Sequence, residues 1–197
     1  MSVLAIDLET KNYAHEIGGW NNTHMFRVST VCTWDGVKGT IYIDKAVDDL
    51  NKGNVEVKPI SQLKFDLDNH IEKGGKLLGH NIISFDLPIL KNALDIYCIK
   101  KYMDKKAFID TSQYLNKEYG ERYSLSNLVQ NTLASDKIMN SEDAPVVWKA
   151  GGYEEVAKYC LKDCELVYDL WKHGQENEVV RGLSHNQEKV IELKVRW

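Results

Sequence analysis

The chain of 197 residues is short of nearly everything that would place it in an easy class. It has no apolar run long enough to span a bilayer. Its N-terminus has no basic stretch followed by an apolar one, so no secretory signal is evident and a cytoplasmic location is expected. There is no surplus of basic residues: 25 Lys and Arg stand against 29 Asp and Glu, a net charge of -4. That balance argues against a broad basic surface for gripping duplex DNA and leaves room only for a local phosphate-binding footprint. Cysteine is sparse and scattered at Cys32, Cys98, Cys160 and Cys164, which suits a reducing compartment better than a disulfide framework. Cys160 and Cys164 have helical i, i+4 spacing, but no other Cys or His pair completes a zinc-like set, so both read as buried apolar residues. Repeats, low-complexity tracts and interdomain linkers are missing too. What remains is an ordinary mixture of 43% hydrophobic and 27% charged residues, enough for one sizeable core.

Hydrophobic spacing gives a coarse order of elements. Residues 2–7 read as a short buried strand, residues 26–34 and 40–43 as two more, joined by the Asp35-Gly36 turn into a meander. Between the first two strands, residues 13–24 form a polar, Gly-containing loop that carries Trp20. Leu63, Leu67 and Ile71 recur at helical spacing and Gly74-Gly75 ends that helix. A short strand at 76–79 leads into a loop, and Asp86-Leu87-Pro88 opens a further helix. Residues 107–109 read as a strand, and a helix begins at Ser124 and keeps its apolar face through Leu133. The basic stretch Lys100-Lys101 with Lys105-Lys106 reads as a solvated loop. The longest helix runs from about residue 152 to 173. Residues 1–175 are expected to form one α/β domain with a mixed sheet flanked by helices, and 176–197 a helical tail within that domain or docked on a partner.

Four acidic residues in three islands carry the chemistry. Asp7 and Glu9 follow an apolar strand as an acid-x-acid pair, Asp86 closes Asn81-Ile82-Ile83-Ser84-Phe85-Asp86, and Asp163 closes Tyr159-Cys160-Leu161-Lys162-Asp163. On a strand, Asp7 and Glu9 share a face; on a helix, Tyr159 and Asp163 share one at i, i+4. Adjacent carboxylates repel and raise a pKa, so a cation is their natural partner. Hard divalent ions accept carboxylate oxygens and fill the remaining shell with water and substrate phosphate. Each island alone reads equally as a surface loop, a helix cap or an amphipathic pair.

Taken together, the islands resemble the three motifs of the DEDD superfamily of 3′–5′ exonucleases, which share the ribonuclease H-like (DnaQ-like) fold. The first matches as Asp7-x-Glu9-Thr10, the second as Asn81-x-x-x-Phe85-Asp86, and the third, Tyr159-x-x-x-Asp163, matches the tyrosine subclass. The histidine subclass is excluded because Lys158 stands five residues before Asp163. The second and third motifs are most similar to proofreading domains of family B DNA polymerases. Glu16-Ile17-Gly18-Gly19-Trp20, Met25, Val28-Ser29, Asp110-Thr111, Tyr123-Ser124-Leu125 and the Trp148 region resemble exonuclease domains attached to some bacterial helicases. No helicase phosphate loop is present in this chain.

The resemblance implies a metal-dependent 3′–5′ exonuclease that releases nucleoside 5′-monophosphates in DNA repair or replication, with single-stranded DNA ahead of RNA as substrate. It implies two divalent cations, Mg²⁺ or Mn²⁺, held by Asp7, Glu9, Asp86 and Asp163. Tyr159 would orient the attacking water, since a phenol with an ordinary pKa near 10 is a poor base at neutral pH. Thr10 and Asn81 would hold the terminal nucleotides, with Phe85 beside them, although Phe85 reads equally as core. Trp20 is a candidate stacking platform for a base, or a loop residue folded back on the core. A helicase or polymerase partner is expected, and no membrane. The alternatives are a 3′–5′ exoribonuclease and, from another class, a non-catalytic nucleic-acid-binding module.

Overall fold

A computed structural model of the chain describes residues 2–135, 139 and 142–197. Its centre is β1 (Val3–Thr10), which lies in a six-stranded mixed sheet. On one side β1 pairs antiparallel with β2 (Val28–Trp34), which pairs antiparallel with β3 (Gly39–Ile43). β4 (Val55–Lys58) adds in parallel at that edge. On the other side β5 (Lys76–Gly79) runs parallel to β1, and β6 (Phe108–Asp110) parallel to β5. The sheet order is therefore β4-β3-β2-β1-β5-β6.

Both faces of β1 are buried, and its alternation sorts two cores. Ala5 packs with Val156, Ala157, Cys160 and Cys164 on one face, while Ile6 and Leu8 pack with Leu63, Leu67 and Leu87 on the other. The second face is covered by α1 (Leu63–Glu72), α2 (Asp86–Ala93) and α3 (Ile99–Asp104). The first is covered by α4 (Thr111–Tyr119), α5 (Leu125–Leu133), α6 (Ala144–Lys149) and the 25-residue α7 (Tyr153–Asn177). Burying a Leu, Val or Ile side chain contributes roughly 1.5–3 kcal/mol, and α7 alone buries Val156, Leu161, Leu166, Val167 and Leu170. All four cysteines are buried free thiols, as their spacing implied.

Three departures from the expected elements stand out. The strand expected over 2–7 continues to Thr10, carrying Asp7 and Glu9 within it. The basic stretch expected as a solvated loop is largely α3, where Lys101 pairs with Asp68 at 3.0 Å and Glu72 at 2.7 Å on α1.

The tail expected to be helical is instead a hairpin of β7 (Val179–Ser184) and β8 (Lys189–Lys194). Glu178, at φ +55°, ends α7 in the left-handed region. The hairpin then buries Val180 and Leu193, with Val195 beyond, in the core shared with Leu128 and Leu170. Asn127 on α5 both donates to the Leu183 carbonyl (2.8 Å) and accepts its amide (2.7 Å), so a helix side chain satisfies part of the edge of β7. Period-two burial along β7, not helical period, is what the packing uses.

No helix among the described residues is long and apolar enough to cross a membrane.

Candidate active site

The site begins with a divergence in the sheet. β5 follows β1 only from Val3 to Ala5 before ending at Gly79, so the second half of β1 has no strand neighbour on that side. A buried amide left there would cost about 1–3 kcal/mol. Asp86, at the entry of α2, fills the gap: its Oδ1 accepts the Leu8 amide at 3.1 Å. The second acidic island is thus fixed between the two acids of the first.

Period-two alternation does the rest. Ala5 faces α7, so Asp7 and Glu9 lie on that same face of β1. α7 crosses β1 there, tied by the Cys160 thiol donating to the Asp7 carbonyl (3.4 Å) and the Cys164 thiol donating to the Cys32 carbonyl on β2 (3.2 Å). Tyr159 and Asp163, one helical turn apart, are both buried, and the Tyr159 hydroxyl hydrogen-bonds Asp163. All five residues of the three islands therefore meet at the carboxyl end of β1.

Their electrostatics report the crowding. Asp86 is only 3% exposed. Burial, and then the charge of Asp7, push its carboxyl well above the usual carboxylate range. The amides of Leu8 and of Asp86 itself oppose that shift without cancelling it. Burial likewise raises the Tyr159 phenol, helped by the charges of Asp163, Glu9 and Asp7. Burial and those charges favour the protonated phenol. It can donate or orient, and it cannot act as a base.

The donor set is all carboxylate oxygen, the type that Mg²⁺ and Mn²⁺ take, and its self-repulsion is what a cation relieves. Among the described residues, no three His, Cys, Asp or Glu side chains are grouped so as to hold one ion between them. Mg²⁺ asks for less: one or two carboxylates with waters and a substrate phosphate are its usual shell. By donor chemistry the residues fit such an ion.

The residues expected to hold substrate are spread around this cluster. The Thr10 hydroxyl donates to the Asn12 carbonyl at 2.9 Å, where a register shift after Glu9 bends the strand. Phe85 is half-buried and packs edge-on against Phe26 (5.6 Å between ring centres) and Trp20 (5.5 Å). Trp20 remains 66% exposed, propped on that aromatic pair. Asn81 sits at φ +69° and its amide donates to Asp110 Oδ1 at 2.9 Å.

Two residues with positioning roles were not assigned one from the sequence. Asp110 accepts the amides of Asn81, Ile83 (3.0 Å) and Gln113 (3.0 Å), so one buried carboxylate fixes the 81–83 turn and caps α4. An Asp directly before a helix is the signal for that. Buried Asn12 accepts the Arg27 amide (2.8 Å) and donates to the Met25 carbonyl (3.2 Å), closing the base of the 13–25 loop. The start of the loop is latched by Lys149, which pairs with Glu16 at 3.0 Å and lies over the Tyr13 ring.

In sequence comparison the chain matches no protein-family model and no curated protein.

Proposed function

We propose that this chain is a divalent-metal-dependent 3′–5′ exonuclease acting on single-stranded nucleic acid, DNA ahead of RNA. The observation that carries the reading is the meeting of Asp7, Glu9, Asp86, Tyr159 and Asp163 at one strand end, from positions up to 156 residues apart (163 − 7). Three antiparallel strands followed by three that add in parallel, with acids on the central strand, support a ribonuclease H-like fold for the domain. The carboxyl edge of an open α/β sheet is where ligands of such folds bind.

In this reading Asp7, Glu9, Asp86 and Asp163 would hold the divalent cations, one or two carboxylates to an ion, with water and the substrate phosphate completing each shell. Bound cations would supply an acidified water and neutralise charge on the phosphate. The protein's own residues do the positioning. The Tyr159 hydroxyl, fixed by Asp163, orients the attacking water in line with the scissile bond. Asp86 fixes the β1 backbone between the two acids of that strand. Thr10 and Asn81 hold the terminal nucleotide, and Trp20 stacks on its base, an interaction worth roughly 1–3 kcal/mol per base without reading sequence. Water adds to phosphorus, the 3′ oxygen leaves with a proton, and a nucleoside 5′-monophosphate is released. A helicase or polymerase acting beside the chain, generating or extending the 3′ end, fits this role.

The test is hydrolysis of 3′-labelled single strands of DNA and RNA with Mg²⁺ or Mn²⁺. Stepwise release of labelled mononucleotide supports the reading, and faster release from RNA would make the enzyme an exoribonuclease. No cleavage of either strand would leave a binding module.

A further inference from the structure

One strand along the sheet from the carboxylates, at the carboxyl ends of β5 and β6, lies a cavity of about 210 Å³. Its walls are polar: Asn81 and Ser84 from the turn before α2, Gln113, Asn116 and Lys117 from α4, and Arg122 just beyond that helix. The cavity is pre-shaped. Gln113 Nε2 donates to Ser84 Oγ at 3.0 Å, and Asp110 anchors both walls through the amides of Asn81, Ile83 and Gln113. Lys117 and Arg122 are exposed, and among the described residues neither is in an ion pair. Unlike them, Lys38, Lys58, Lys101, Lys149, Lys158 and Lys162 each hold an acidic partner. Two unpaired cations, with amide and hydroxyl donors between them, make an anion site on a protein whose net charge is negative.

We propose that this cavity is a phosphate subsite for the strand backbone, taking a phosphodiester on the 5′ side of the bond that is cut. The proposal rests on the exonuclease reading, because it gives the strand a direction away from the carboxylates. Asn81 joins the two places. It lies in the turn that ends at Asp86, and it also lines the cavity. The space equals that of several water molecules, enough for a phosphate group. Lys117 and Arg122 supply the charge that the carboxylate end lacks, and the uncharged donors fix the orientation. The site reads charge and spacing, with no contact that would select a base.

Binding of a short 5′-fluorescein oligo-dT, followed by anisotropy across a salt series in EDTA and again in Ca²⁺, tests this. The Lys117→Gln/Arg122→Gln protein should bind about tenfold more weakly at low salt. Its dependence of log K on log salt should be shallower by about 0.7, the contribution of one phosphate contact on a single strand. A charge-matched control, Lys52→Gln/Lys73→Gln, removes two exposed lysines, one before β4 at the opposite edge of the sheet and one ahead of the amino end of β5, and should follow wild type. Equal affinity and slope in the double variant and wild type, or an equal shift in the control, overturns the subsite. So does competition by inorganic phosphate alone without loss of oligonucleotide affinity in the variant. If the double variant shows the slope change while wild type hydrolyses no strand, the cavity stands as an anion site for nucleic acid and the exonuclease reading falls.

Discussion

Two buried aspartates, one strand apart, are held in opposite ways. Asp110 accepts three backbone amides and is the hub of its turn. Asp86 accepts the Leu8 amide, but it also faces Asp7 and is pushed well above the usual carboxylate range by burial and that charge. Ringed by donors, the first carboxylate stabilises the fold. Beside other acids, the second works against it. A buried carboxylate crowded by another acid is a mark of a site suited to a cation.

Asp86→Asn separates the two roles most sharply. The amide keeps an oxygen for the Leu8 N–H while removing the charge, so hydrolysis should fall by about 10²–10³-fold. The metal-free protein should melt higher at neutral pH, by on the order of a few degrees. The sign follows from linkage: a carboxyl raised in the folded state favours folding below its unfolded pKa, and that stability is lost as pH rises through the raised folded value. The gain in the variant should therefore vanish in melts run below the ordinary carboxylate range. A variant less stable than wild type at neutral pH would break the contrast with Asp110.

Asp110→Ala should cost about 3 kcal/mol in urea unfolding, because three amides and a helix cap lose their acceptor at once. Here the loss is of fold, with no stabilisation at any pH. Smaller again is Tyr159→Phe. Removing the hydroxyl leaves the ring packed on α7 and should lower kcat by roughly 10–100-fold with KM little changed, as expected when a reacting group is no longer oriented. Mn²⁺ binding by calorimetry should survive in this variant, since the phenol is not a metal donor.

The acid islands were legible because their chemistry is local: an acid pair closing an apolar strand, and a Tyr and Asp one helical turn apart. The central strand was legible as a short apolar run, and the long helix from its apolar positions at helical spacing. Other parts depended on contacts that a single sequence does not show. The charged run containing Lys101 reads as loop until Asp68 and Glu72 of α1 are seen beneath it. The terminal segment mixes Val190, Ile191, Leu193 and Val195 with charges, and only packing of Leu193 and Val195 against α5 and α7 selects the hairpin. β4 is four half-buried residues whose place is fixed by β3. The Lys117 and Arg122 cavity gave no motif at all, since its walls come from the turn before α2 and from α4, brought together by Asp110.

The central claim is that the Asp7, Glu9, Asp86, Tyr159 and Asp163 cluster cuts nucleic acid from a 3′ end. Its most direct test is release of labelled nucleoside 5′-monophosphate from 3′-labelled single-stranded DNA in Mg²⁺, with wild type and Asp7→Ala side by side and RNA run in parallel. The account predicts stepwise release by wild type, faster on DNA, and none above background in Asp7→Ala. No release from either strand by wild type, or undiminished release by a folded Asp7→Ala protein, would contradict it.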